Sequence, residues 1–234
     1  MQNMELCRAG QPGLSPAIRC ELLPAFDRTD LESVRRAFQS ATPCLLQQAW
    51  LDEEAPGFSP GVVRTGWRGS SLLVFAELMD TDIFNGATKL NQRTWELGDV
   101  FEMLLRSAEK ESYVEFHVTP HNQRLQLRFA DGRAAERARK MGSLEDVLVG
   151  GEAFHSVTWI EDRMCRWYVY AEIPAVAVCG SNESIENSQW RFSFGRYDCA
   201  RGVKEPIISS TSPHAKPDFH RQHEWGVMTF KIRS

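Results

Sequence analysis

The sequence predicts an all-β protein: an antiparallel, two-sheet β-sandwich of the immunoglobulin or jelly-roll kind, carrying a few short helices. Three observations predict it. After Pro60, apolar and polar residues alternate with period two in segment after segment, as in strands with one buried and one solvated face. Turn signals separate the segments, among them Gly69-Ser70-Ser71, Pro120-His121-Asn122 and Asp131-Gly132. Helical spacing occurs only in short stretches.

Taken in order, residues 1–17 hold Gly10, Pro12, Gly13 and Pro16 and read as a loose lead-in to a single domain spanning 1–234. Residues 30–39 place Leu31, Val34 and Phe38 at helical spacing, with Asp30 as N-cap and Pro43 closing the segment. Strands are expected at 62–67, 72–79, 100–106, 113–119, 124–129, 153–160, 166–173, 190–197 and 225–232. The alternation is clearest where Val114, Phe116 and Val118 oppose Tyr113, Glu115 and His117. It recurs where Leu125, Leu127 and Phe129 oppose Arg124, Gln126 and Arg128. Residues 134–140 read as a surface helix and 172–178 as a strand-end turn. The basic cluster Arg133, Arg137, Arg139 and Lys140 reads as a solvated face.

Composition narrows the function classes. Lys and Arg number 27 against 31 Asp and Glu, which argues against a nucleic-acid partner. Apolar runs reach only about five or six residues, far short of the roughly 18–20 that a membrane helix needs, so no membrane partner is expected. The opening MQNMELCRAG lacks a basic start followed by an apolar run. The expectation is a cytoplasmic chain unless a leader has been removed. Six irregularly spaced cysteines form no C-x-x-C pair and are expected as reduced thiols. Seven tryptophans in a mildly acidic chain are the compositional feature that calls for a use.

Four constellations carry chemistry. In the first, Trp95 and Asp99 stand at the entry of a strand on which Glu102 shares a face with Val100 and Leu104. A carboxylate on an apolar face needs a partner: either an arginine such as Arg128 or Arg191, or the hydroxyls of a ligand. In the second, Glu115 and His117 are two apart and share a face; with Glu102 they would form one polar patch, and two carboxylates so placed would suit glycoside hydrolysis. In the third, His214, His220 and His223 lie in a Pro-containing loop, and read as structural rather than metal-binding. In the fourth, the Asp80-Thr-Asp82-Ile-Phe-Asn85-Gly86 segment offers alternating oxygen donors, which makes calcium at Asp80 and Asp82 an expectation although no EF-hand spacing is present. No phosphate loop, nucleophile elbow or H-E-x-x-H motif occurs.

In order along the chain come LLVFAELMD, a Trp before G-D-V-F-E, Y-V-E-F-H-V-T-P, Y-A-E-I-P, W-R-F-S-F-G-R-Y, D-F-H and W-G-V-M-T-F. In this order the sequence resembles the family-9 carbohydrate-binding modules and a wider DOMON-like superfamily of β-sandwiches. The resemblance implies a non-catalytic, saccharide-binding domain of carbohydrate catabolism, often associated with glycoside hydrolases and often with calcium. It implies Trp95 as the residue stacking on a sugar ring and Glu102 as acceptor of its hydroxyls. It places His117 where the family has an arginine, and draws Glu115, Arg128 and Arg196 into the candidate ligand-binding set. The loop SSTSPHAKPDFH lacks the family's second stacking Trp, leaving Phe219 or Trp225 to substitute. The same superfamily implies an alternative, a haem-binding electron-transfer domain with ligands among Met79, Met103 and His117. A second alternative is a glycoside hydrolase component using Glu102 and Glu115.

Overall fold

The structure, a computed structural model, describes residues 15–180 and 184–231. Most of the expected lead-in, with Cys7, lies outside the described residues. The strands are β1 (Ala17–Leu22), β2 (Cys44–Leu45), β3 (Gly61–Arg68), β4 (Ser71–Met79), β5 (Val100–Ser107), β6 (Tyr113–Val118), β7 (Arg124–Phe129), β8 (His155–Glu161), β9 (Arg166–Pro174), β10 (Gln189–Asp198), β11 (Ile207–Ser210) and β12 (Gly226–Lys231). The α-helices are α1 (Leu31–Ala37), α2 (Gly132–Met141) and α3 (Ala175–Cys179). No helix among the described residues is long and apolar enough to cross a membrane.

The fold is mostly β, as the alternation predicts, and every expected strand overlaps an observed one. The purely antiparallel, two-sheet expectation is corrected. The strands form one continuous mixed sheet in the order β7-β6-β5-β10-β12-β1-β3-β4-β9-β8, with β11 on β10 and β2 on β3. β1 runs parallel to both of its neighbours, β12 and β3, and so joins two otherwise antiparallel arms into one curled sheet. Its AIRCEL sequence alternates in burial, but it is short and follows Gly- and Pro-containing residues that mask it as lead-in. The 172–178 segment, expected as a turn, ends β9 and continues as α3.

The two arms face each other across the main core. Phe101, Met103, Phe116, Phe192 and Phe194 from one arm share that core with Val74, Leu78, Trp167 and Ile173 from the other. The outer face of the β3-β4-β9-β8 arm is closed by α1, whose Val34, with the following Phe38, packs on Phe75, Tyr168 and Tyr170. Asp30 caps α1 by accepting from Ser33 N at 3.0 Å.

The outer face of the other arm is the one that matters for function. Leu104, Tyr113, Leu125, Leu127 and Phe129 form its apolar part, under the alanines of α2 and beside Phe219 and Trp225. Registers Glu102↔His117, Glu115↔Leu127 and Tyr113↔Phe129 place these side chains in one layer. Asp131 caps α2 by accepting from Ala134 N at 2.7 Å, and Gly142 ends it in the left-handed region.

Candidate functional site

A cavity of about 270 Å³ opens on this outer face. Strands β5 and β6 supply Glu102, Glu115 and His117 to its lining, and Trp95, Tyr197, Arg139, Phe219 and His220 also contribute. The volume lies near the lower end of small-molecule sites, about 300–1,000 Å³.

His117 is the centre of the polar floor. Its Nε2 lies 2.7 Å from Glu115 Oε1 and 3.4 Å from Glu102 Oε1. Its Nδ1 shares a 2.9 Å hydrogen bond with Thr94 Oγ1. Thr94 begins the 3₁₀ turn that carries Trp95, so the imidazole ties the floor of the cavity to its aromatic wall. The Trp95 and His117 rings meet edge to face at 5.6 Å. Asn85 fixes the same turn from behind, donating to Thr94 O at 2.9 Å and to Asp99 O at 3.1 Å. Between Trp95 and Glu102, Gly98 adopts φ 139°, and a Cβ there would sit 2.4 Å from Phe84 O. That close approach sets the path from the turn into β5.

Burial pushes the Glu102 carboxyl up to about 7; the attraction of His117 opposes the rise and the Glu115 charge adds to it. Burial works against Glu115 ionising too, yet His220 and His117 outweigh it and hold that carboxyl below its usual range. His117 is raised above the ordinary imidazole value, because Glu102 and Glu115 together overcome its burial. His220 is lowered by burial against the pull of Glu115. The floor therefore sets one imidazole between two carboxyls of unequal acidity.

The structure brings Trp95, Glu102, Glu115 and His117 together. It does not bring Arg128 or Arg196 to them. Arg128 faces the other side of β7 and donates to the carbonyls of Ala177 and Val178 in α3. Arg196 has the parity of Trp190, Phe192 and Phe194 on β10 and so faces the core side. There its Nη2 lies 3.1 Å from Asp80 Oδ2 and 3.3 Å from Asp198 Oδ2. Of the two substitutes for a second tryptophan, Phe219 lines the cavity. Trp225 is fully buried behind it and donates from Nε1 to Phe219 O at 2.7 Å. Sequence reasoning missed Tyr197 and His220 as cavity residues. Parity on β10 places Tyr197 on the face of Gly195, which opposes Glu102, so that signal was available; nothing local signals His220.

Asp80 and Asp82 do not converge as a calcium pair. Asp82 turns outward to Arg201, whereas Asp80 groups with Asp99 and Asp198. The oxygens of Asp80 and Asp99 already accept hydrogen bonds, and Asp198 faces Arg196. Asp80 accepts from Asp82 N at 2.8 Å and from Arg196, and Asp99 accepts from Phe84 N at 2.7 Å and Cys199 N at 2.8 Å. Calcium takes six to eight oxygen ligands, and this set, neutralised by a buried guanidinium, does not fit it. Burial, reinforced by Asp80, pushes Asp99 up to about 8.

The C-terminal histidines diverge. His220 shares a 2.7 Å hydrogen bond with Tyr113 through Nδ1 and lies 3.4 Å from Glu115 Oε2 through Nε2. His223 is exposed beside Glu224. His214 Nε2 lies 3.1 Å from Ser193 Oγ and its Nδ1 lies 3.0 Å from Glu224 Oε2. This Ser-His-Glu chain has the connectivity of a hydrolase relay, but Ser193 and His214 are fully buried and line no part of the cavity. It ties β10 to the loop preceding β12. The haem ligands do not converge either: Met103 lies in the main core, Met79 is 39% exposed, and His117 lines the outer-face cavity. No disulfide forms among the described residues, and burial pushes the Cys20 thiol up to about 12.

No family model matches the chain, and no curated protein matches it. Solved structures do resemble it. A proposed carbohydrate-binding protein from Bacteroides uniformis superposes with a TM-score of 0.68 at 15% identity, over 92% of this chain and 98% of that one. A family-9 carbohydrate-binding module from Caldicellulosiruptor kristjanssonii in complex with cellotriose gives 0.63 at 12% identity, over 93% and 95%. The glucose complex of such a module from the same organism gives 0.62 at 12% identity, over 93% and 97%. At such identities the likeness establishes the fold: this chain has the β-rich architecture of carbohydrate-binding modules.

Proposed function

We propose that the chain is a non-catalytic saccharide-binding domain, with the outer-face cavity as its sugar site and a role in carbohydrate catabolism. The observation that carries the reading is the meeting of Trp95 and Glu102 in one open cavity. A pyranose offers apolar C–H faces that pack on an indole and hydroxyls that bond to carboxyl and imidazole groups. The volume suits one small ring, with Phe219 and Tyr197 in place of a second tryptophan. Kinship with the DOMON-like superfamily belongs to the same proposal and rests on the order of the sequence motifs.

A hydrolytic role finds less support. Retaining glycosidases hold their two carboxyls about 5–5.5 Å apart around the scissile bond. Here Glu102 and Glu115 both lie against the same imidazole nitrogen, which fills the space between them.

Titration with glucose and cello-oligosaccharides, read by tryptophan fluorescence and calorimetry, tests the binding. Trp95→Ala is expected to weaken binding about tenfold, the equivalent of one aromatic contact of about 1.4 kcal/mol. If a broad sugar panel at millimolar concentration leaves the wild-type signal unchanged, the reading is wrong.

A further inference from the structure

The polar floor holds more than a sugar site requires. Glu102, Glu115 and His117 each offer a ligand atom, all within 4.8 Å of one another, and all three residues are buried. His117 Nε2 stands 2.7 Å from Glu115 and 3.4 Å from Glu102. Neighbouring ligands around a cation with bonds of 2.0–2.1 Å lie roughly 2.9–3.4 Å apart, a range these spacings bracket.

Two further observations point the same way. Glu115 lines the cavity, and its buried Oε2 has no hydrogen-bond partner; His220 Nε2 approaches it at 3.4 Å without making one. Such an orphaned oxygen in a carboxylate about 5% exposed calls for a ligand. Both imidazoles are also held at Nδ1 by a hydroxyl, His117 by Thr94 and His220 by Tyr113, so that each turns Nε2 toward Glu115. This outer-shell pattern fixes the tautomer and aim of metal-binding histidines.

We propose that Glu102, Glu115 and His117 form a site for a divalent first-row transition cation of the zinc class. One nitrogen and two carboxylates match the nitrogen and oxygen donors such ions take. The cavity leaves the remaining coordination positions open to water or to a hydroxyl-bearing ligand. The site does not depend on the saccharide reading.

The test uses the full chain without a histidine tag, stripped with chelator and titrated with Zn²⁺ by calorimetry in the absence of sugar. Co²⁺ serves as a second probe through its visible absorption. The expected result is one equivalent bound, with Glu102→Gln and Glu115→Gln each weakening affinity at least about 100-fold, beyond the 10–100-fold typical of outer-shell losses. Circular dichroism confirms that the variants are folded. His223→Ala, on the exposed loop, leaves affinity unchanged, and Trp95→Ala retains zinc while its sugar affinity falls about tenfold. The proposal is overturned if folded wild type takes up no Zn²⁺ at micromolar concentration, or if both glutamine variants bind as wild type does. It also fails if His223→Ala abolishes binding.

Discussion

Residue-level chemistry divides the polar groups of this protein into those that face the cavity and those that hold the scaffold. Glu224 belongs to the second class. Arg221 donates to both of its oxygens at 2.7 Å, and His214 lies 3.0 Å away. The hydrogen bonds from Arg221, joined by His214, lower its carboxyl from 4.5 to about 2 despite some burial. A carboxyl depressed on folding stabilises the protein above its unfolded value and loses that contribution as pH falls toward the folded value. Solvent screening reduces the effect, and wild type is expected to lose about 1 kcal/mol between pH 5 and pH 2 through this group. Glu224→Gln should flatten that part of the profile, a difference readable in Tm against pH. Parallel profiles for the two proteins would remove Glu224 from the account. Much of the residue chemistry was legible in advance: a carboxylate on an apolar strand face demanded a partner. The patch with Glu115 and His117 was legible too; the arginine alternative failed because period two assigns a face to a side chain without giving its neighbour across the ladder. His117 answers Glu102 through the β5–β6 register, and only the fold supplies that register.

Elements position these residues through close approaches that the sequence marks only with glycine. Gly195 on β10 lies opposite Glu102 in the ladder. A Cβ there would sit 2.5 Å from Cε2 of the Phe219 ring. Phe219 is buried and held by its neighbours Tyr197 and His214, so the ring cannot simply swing away. Gly195→Ala is expected to destabilise by about 1–3 kcal/mol, the usual cost of overpacking, and to displace the Phe219 wall of the cavity. A smaller side chain should restore room, so Gly195→Ala with Phe219→Leu should recover part of the loss in urea midpoint. A single variant as stable as wild type would show that the wall is not packed in this way. At this scale the strands from β3 onward, β11 aside, were readable from alternation, and α1 from its spacing and cap. β2 and β11, with two and four residues, are too short for a period to declare itself, and β1 follows the Gly- and Pro-containing lead-in. The pairing of β1 comes from β12 at the far end of the chain.

At the scale of the molecule the question is whether two arms make one unit or two. The strand order passes from one arm to the other through β1, whose pairing with β3 covers only Glu21↔Gly66 and Leu22↔Trp67. That seam alone would be a weak joint. The stronger link is the shared core, where Phe101, Phe116 and Phe194 pack in the same cluster as Val74, Trp167 and Ile173 from the facing arm. Separating the arms would expose both inner faces to water, at roughly 25 cal/mol for each Å² of apolar surface, leaving each arm only its smaller outer cluster. The chain is therefore expected to unfold in one cooperative step despite its 234 residues. Calorimetry checks this directly, since a single transition has equal calorimetric and van't Hoff enthalpies. Two resolved transitions would mean that the outer clusters around α1 and α2 sustain each arm alone. In that case a ligand bound in the cavity should raise the midpoint of only one of them, because its lining comes from the β5-β6-β7-β10 arm and the segments packed on it. With one cooperative unit, the same ligand shifts the single midpoint of the whole chain by mass action.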